Sequence, residues 1–280
     1  MKTLLVPVDF SDTSVATIRF AAAWAQDYEY KRIILLKTFY QNVFSDIVVS
    51  AEYGAVNHDF MEDHRQEAMT HLERLSNVIV GIAGDMKVDI VTSKVPILRA
   101  VIALIREESP EMVMLGSEHG ADDSLISRNV IAIAKASPVR VMVVPSGYRY
   151  RPVRNALVPC DFNALHSLDK LNKLKASPHL WERTHFMVLN VDPEEHYLHP
   201  DEQFREDERN LHEYLKDFHH ELHYRNDKDI LGSIINFTAA HEAQLIVALP
   251  GKHSFLYYLT HKSISEALCR SARVPVVILK

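Results

Sequence analysis

Only two cysteines, Cys160 and Cys269, occur in 280 residues, and neither has a metal-type or redox-type partner nearby in sequence. That excludes a disulfide framework as the organising device and reads as two reduced thiols of a cytoplasmic protein. No block of lysines and arginines is dense enough for a nucleic-acid footprint, and the net charge of −6 points the same way. No stretch approaches the roughly 20 apolar residues of a membrane-spanning helix. The opening Met1-Lys2-Thr3-Leu4-Leu5-Val6-Pro7-Val8-Asp9 has one lysine and an apolar run cut short by a proline and an acid, unlike a secretory leader. A complete Walker A loop and a nucleophile elbow are also missing.

What is present is a chain long enough for two domains, with an apolar fraction of 47% that suffices for buried cores. The two halves resemble each other. Val6-Pro7-Val8-Asp9-Phe10 returns as Val158-Pro159-Cys160-Asp161-Phe162, each followed by a polar residue suited to cap a helix, Ser11 or Asn163. Both halves close on a β-branched run, 139–144 and 274–279. Between them, Ser146-Gly147-Tyr148-Arg149-Tyr150-Arg151-Pro152 reads as a short hydrophilic connector. The expected organisation is a domain over 1–146, a linker over 147–152 and a domain over 153–280.

In the first half, short apolar runs at 4–8, 32–39, 88–92, 112–115 and 140–144 predict strands. Helical spacing predicts helices at 11–28, 58–82, 96–106 and 124–136. The second half repeats the order, with strands at 156–160, 186–191, 222–224, 245–249 and 274–279. Its helices are expected at 165–176, 201–219, 230–242 and 256–272. Strands alternating with helices indicate α/β architecture: two tandem doubly wound, Rossmann-like domains, each with a five-stranded, mostly parallel sheet. The closing runs 140–144 and 274–279 are edges that can pair across the domains, making the chain a built-in dimer and leaving a further homodimer open. The segment 39–57 is long for a connection and apolar, with Val43, Phe44, Ile47, Val48 and Val49. It reads either as a lid or partner surface, or as a short extra helix on its own domain.

The opening Leu4-Leu5-Val6-Pro7-Val8-Asp9-Phe10-Ser11 followed by an alanine-rich helix resembles the universal stress protein family, over two tandem copies. Lys252-His253-Ser254-Phe255-Leu256 with His261-Lys262-Ser263 is similar to the variant ending of tandem members from Bacteroidetes-like bacteria. The resemblance implies a stress-response protein that is not an enzyme and responds to ATP or another adenine nucleotide. By position it implies a nucleotide site at Pro7, Val8, Asp9, Thr38, Gly116 and Gly120, where glycines let backbone N–H groups approach phosphates. This sequence departs from the family pattern in three ways. The gap from Gly116 to Gly120 is one residue longer, Glu118 adds a negative charge, and a later Gly-Ser pair is replaced by Ser127-Arg128. Serine still donates and arginine is a strong phosphate partner. The second copy offers Pro250-Gly251-Lys252-His253-Ser254, with a single glycine, and reads as a helix cap in a degenerate domain.

Other constellations give less. Twelve of the 16 histidines lie in the second half, with His212, His219, His220 and His223 close together. No cysteine or glutamate completes a familiar zinc spacing there, so no metal is expected. His64 and His71 read as surface residues, and Asp122-Asp123 as acids ahead of a helix. Three functions therefore compete: a stress protein acting by association with nucleotide sensing, a ligand-free scaffold for an unknown protein partner, and a nucleotide hydrolase or adenylyl-transfer enzyme using Asp9 and Glu118.

Overall fold

The structure, a computed structural model, describes residues 1–39, 58–118, 125–176, 181–249 and 272–280. The first half runs β1 (Thr3–Val8), α1 (Asp12–Asp27), β2 (Arg32–Thr38), α2 (His58–Ala83), β3 (Lys87–Ser93), α3 (Ile97–Glu108), β4 (Met112–Ser117), α4 (Leu125–Ala136) and β5 (Arg140–Pro145). The second runs β6 (Asn155–Pro159), a 3₁₀ segment (Phe162–Ala176), β7 (His185–Val191), a 3₁₀ turn (His196–Leu198), α5 (Glu202–Leu215), β8 (His220–Arg225), α6 (Ile230–Ala240), β9 (Leu245–Ala248) and β10 (Val276–Ile278).

The apolar runs form strands covered on both faces: Leu4, Leu5 and Val6 of β1 and Ile33 to Leu36 of β2 have no exposed surface. Helix α1 starts where the sequence indicates, because the Ser11 hydroxyl accepts a hydrogen bond from Ser14 N at 3.2 Å. Its buried stripe of Ile18, Ala21, Ala22 and Ala25 lies against the sheet. Helix α3 ends at Ser109, whose left-handed backbone (φ 47°) lets its N–H reach Ile105 O at 3.1 Å.

The ten strands among the described residues join one sheet in the order β3-β2-β1-β4-β5-β10-β9-β6-β7-β8. Pairing within each half is parallel, and both halves have the same internal order, the second reversed. The halves meet where β5 and β10 pair antiparallel, with Val276 opposite Val143, Val277 opposite Met142 and Ile278 opposite Val141. The two β-branched closing runs therefore pair with each other, and both strands are buried there.

Three expectations need correction. The helix expected at 165–176 is a 3₁₀ segment from Phe162 to Ala176, so position 163 lies inside it rather than ahead of it. The reason is the spacing of its buried leucines: Leu165, Leu168, Leu171 and Leu174 recur every three residues. A 3₁₀ helix stacks residues i and i+3 on one line, which puts all four into the core. Helix α5 ends at Leu215 rather than 219, and β8 already begins at His220. The connector is not simply hydrophilic. Gly147, with φ +76°, turns the chain. The half-buried Tyr148 and Tyr150 then pack on Phe20 of α1, with centroids 6.0 and 5.4 Å away. Tyr150 Oη donates to Asp27 at 2.5 Å, and Tyr148 Oη donates to the Gln244 carbonyl of the other half at 3.3 Å. Residues 40–57 of the segment 39–57 expected as a lid, a partner surface or a short extra helix lie outside the described residues, as do Gly251 and residues 256–271 of the helix expected at 256–272.

Candidate functional site

In the first half the strand order 3-2-1-4-5 reverses direction between β1 and β4. In open parallel sheets a crevice forms at such a point, beyond the carboxyl ends of the strands, because the connecting helices leave to opposite faces. A cavity of about 790 Å³ lies there, a size suited to a nucleotide-scale ligand. Pro7, Val8 and Asp9 come from the end of β1, Thr38 from the end of β2, and Gly116 from β4, and all five line it. Gly120 lies outside the described residues, as do Asp122 and Asp123 and the side chain of Ser127. Arg128 is exposed on α4, while its neighbours Asn129 and Val130, with Ile133 a turn on, face the cavity.

Asp9 is tied into the start of α1. Its Oδ1 accepts from Ser11 N at 2.9 Å and from Ser11 Oγ at 2.7 Å, and its own N–H donates to Ser14 Oγ at 3.4 Å. The carboxylate thus buttresses the helix N-terminus, where negative charge is favoured, and one of its oxygens is occupied. Phe10 follows with a left-handed backbone, φ 70°. For a bulky residue that conformation costs on the order of 1–3 kcal/mol and persists only where surroundings impose it. The surroundings here are Lys37, whose ammonium sits 4.2 Å from the Phe10 ring centre, and His71, whose ring meets Phe10 edge-on at 5.2 Å.

Phe10 and Lys37 are among the cavity residues that sequence reading missed. Register carries the clue, since Lys37 pairs with Val8 and so stands beside the Asp9 turn. Partial burial pulls the Lys37 pKa below its usual value, and the Asp9 charge partly restores it. Gly116 carries a packing role besides lining the cavity. It lies inside β4, and a Cβ there would come 2.5 Å from Thr17 Oγ1 and 2.8 Å from Thr13 Cγ2. Its lack of a side chain lets α1 press onto β4, the helix–strand contact that frames the cavity.

The corresponding place in the second half is built differently. Pairing of Pro7 with Leu36, and of Pro159 with Leu189, matches Lys37 to Asn190 and Thr92 to Tyr224. Phe162 packs there on Phe204 at 4.8 Å and on Tyr224 at 6.1 Å, and Tyr197 stacks on Tyr224 at 5.1 Å with planes 8° apart. Four aromatic rings therefore cover the carboxyl ends of β6 to β8. Cys160 beneath them is buried, which pushes its thiol far above the usual range and leaves it unreactive.

Of the clustered second-half histidines, His212 lies in the last turn of α5, whereas His219, His220 and His223 lie on β8 or directly ahead of it. The His219 ring meets that of His185 at a tilt of 37° with centroids 4.6 Å apart, and Glu221 lies 3.8 Å from His185 Nε2 and 3.6 Å from His223 Nε2. His223 also contacts Phe237 and His241. Burial, followed for His185 by the neighbouring His219, holds the pKa of both His185 and His223 below 6.5 despite Glu221. A histidine whose folded pKa is depressed stabilises the fold above its unfolded pKa, and that stability is lost as pH falls from 6.5 through the lower folded pKa. The expected result is a thermal midpoint that drops between pH 7.5 and 5.5, with a shallower slope in His223→Gln. Exposed His196 beside Asp192 is raised and opposes the trend only at the surface. Equal slopes in the two proteins would refute the assignment.

Among the described residues no group of three or more histidine, cysteine or carboxylate side chains could hold a metal, and no helix is long and apolar enough to cross a membrane. The model of a family described as the universal stress protein family matches residues 1–145. The chain is similar in fold to the crystal structure of a universal stress protein from Archaeoglobus fulgidus, with a TM-score of 0.69 and 14% identity, covering 99% of this chain and 96% of that one. A putative universal stress protein from Pseudomonas aeruginosa is similar with a TM-score of 0.56 and 16% identity, covering 100% and 93%. No curated protein matches the sequence.

Proposed function

Since the chain belongs to the universal stress protein family, we propose that it is a cytoplasmic stress-response protein that works by association rather than catalysis, its first-half cavity sensing ATP or another adenine nucleotide. Residues 1–146 form the sensing domain, 147–152 the connector and 153–280 the degenerate domain. The observation that carries this reading is the cavity at the switch point between β1 and β4, lined by hydroxyls, an amide and the ammonium of Lys37 amid apolar walls. The non-catalytic part rests on Asp9, the acid best placed to act as a base, whose Oδ1 is already engaged by Ser11. A protein partner, or a second copy of the chain, would receive the signal.

The test is to denature the purified protein, identify any released nucleotide, and titrate the emptied protein with ATP calorimetrically. Micromolar binding is expected, weakened about tenfold or more in Lys37→Met, because a charge-assisted bond to a ligand is worth about 1.5–3 kcal/mol. Lys37 is the better variant than Gly116, whose substitution would disturb packing. No released nucleotide and no heat up to millimolar ATP would sink the sensing role. The ligand-free scaffold would then stand, favoured by the use of Gly116 for packing. ATP turnover that vanishes in Asp9→Asn would instead make the protein an enzyme.

A further inference from the structure

One pair of side chains stands apart from the cavity and from the sheet core. His212, in the last turn of α5, and His220, the first residue of β8, bring Nδ1 and Nε2 to 2.8 Å of each other across the turn between these elements. Their rings lie 5.1 Å apart at 38°. The other nitrogen of His220, Nδ1, donates to the Phe218 carbonyl at 2.9 Å. That bond fixes the tautomer, so Nε2 of His220 presents a lone pair toward His212. A ring nitrogen anchored to a backbone carbonyl, with the opposite nitrogen free to ligate, is the usual arrangement of a metal-binding histidine.

We infer that His212 Nδ1 and His220 Nε2 form a two-nitrogen site for a divalent transition metal of tetragonal preference, Cu(II) before Ni(II). The distance selects the geometry. With metal–nitrogen bonds of about 2.0–2.1 Å, nitrogens 2.8 Å apart subtend roughly 85–90° at the metal, whereas tetrahedral coordination needs them about 3.3 Å apart. A right angle suits adjacent positions of a square or octahedral metal, and the order of divalent affinities also places Cu(II) first. On binding, the hydrogen bond between the rings is given up: His212 moves its proton to Nε2, and both lone pairs turn toward the metal, which lies off the line between the two nitrogens. Among the described residues no third side-chain donor joins the pair, so water fills the other positions. The site needs little ordering, because one ligand is on a helix and the other on a strand. Helix α5 adds a favourable field, with five acids (Glu202, Glu206, Asp207, Glu208 and Glu213) against Arg205 and Arg209.

The test is calorimetric titration of the full chain with CuCl2, NiCl2 and ZnCl2 in a non-coordinating buffer. It is run for wild type, His212→Ala, His220→Gln and, as a control, His199→Gln at an exposed histidine elsewhere. The expected tightest site holds one Cu(II) per chain, loses about tenfold or more in either pair variant, is unchanged in the control, and binds Zn(II) at least about tenfold more weakly. Electron paramagnetic resonance of the wild-type Cu(II) complex gives a second reading that needs no variant, with nitrogen hyperfine structure from two imidazoles. A tightest site unmoved by either pair substitution, Zn(II) bound as tightly as Cu(II), or fewer than two coupled nitrogens would each overturn the assignment.

Discussion

Gly116→Ala is expected to cost about 2–3 kcal/mol of stability, close to the upper range for adding a methyl group to a packed interior, and to lower the thermal midpoint by roughly 5–10 °C. The added carbon would fall 2.5 Å from Thr17 Oγ1, and that hydroxyl cannot swing aside freely because it donates to the Thr13 carbonyl at 2.8 Å in a buried setting. Thr13 blocks the other side with Cγ2 at 2.8 Å and its carbonyl oxygen at 3.3 Å. Relief must therefore come from moving α1 off β4, which opens the wall of the cavity. Trimming the obstacle should restore part of the loss: Thr17→Ala in the Gly116→Ala background couples favourably by at least about 1 kcal/mol in a double-mutant cycle. A Gly116→Ala protein as stable as wild type would show that α1 and β4 are not in the contact described.

Val277→Asp should have the larger effect, about 4 kcal/mol or more, placing it among the few substitutions that defeat folding at moderate temperature. Val277 is 3% exposed and stands opposite Met142, which has no exposed surface. A carboxylate there has no partner and must either be desolvated or drive β10 away from β5. The expected readout is a midpoint lowered by roughly 10 °C or more, with the single transition splitting as the halves lose their common strand pair. The control is Val95→Asp, since Val95 is 43% exposed and its change should stay within about 0.5 kcal/mol. Equal effects of the two substitutions would remove the seam as the element that joins the halves.

Strands were legible because each is short, apolar and fenced by turn residues: the run at 4–8 is β1 (Thr3–Val8), and 112–115 sits inside β4 (Met112–Ser117). The pairing of the two closing runs was legible for a related reason. Each would otherwise present an open, β-branched edge, and the simplest cover is the other. Residues 165–176 misled because leucines three apart fit part of an α-helical stripe as well as a 3₁₀ line, and only the core decides between them. In the cavity, Asp9 was visible from its motif, but Lys37 was not. Its placement depends on the register of β2 against β1 and on the left-handed turn of Phe10, neither of which is local to Lys37. Gly116 was visible as a glycine, while the reason for it lies in Thr13 and Thr17, about a hundred positions away in sequence.

The antiparallel seam also sets an order of events during synthesis. β5 is ready once Pro145 has left the ribosome, but the strand that covers it, Val276–Ile278, follows only after the whole second half. At about 5–20 residues per second that interval is on the order of ten seconds. Throughout it the Val141 to Val144 edge of a nascent chain faces the edges of its neighbours on the same message, and a strand from one of them can pair there first. The fold that makes one chain its own partner therefore depends on winning a race, and crowded polysomes would be where it loses.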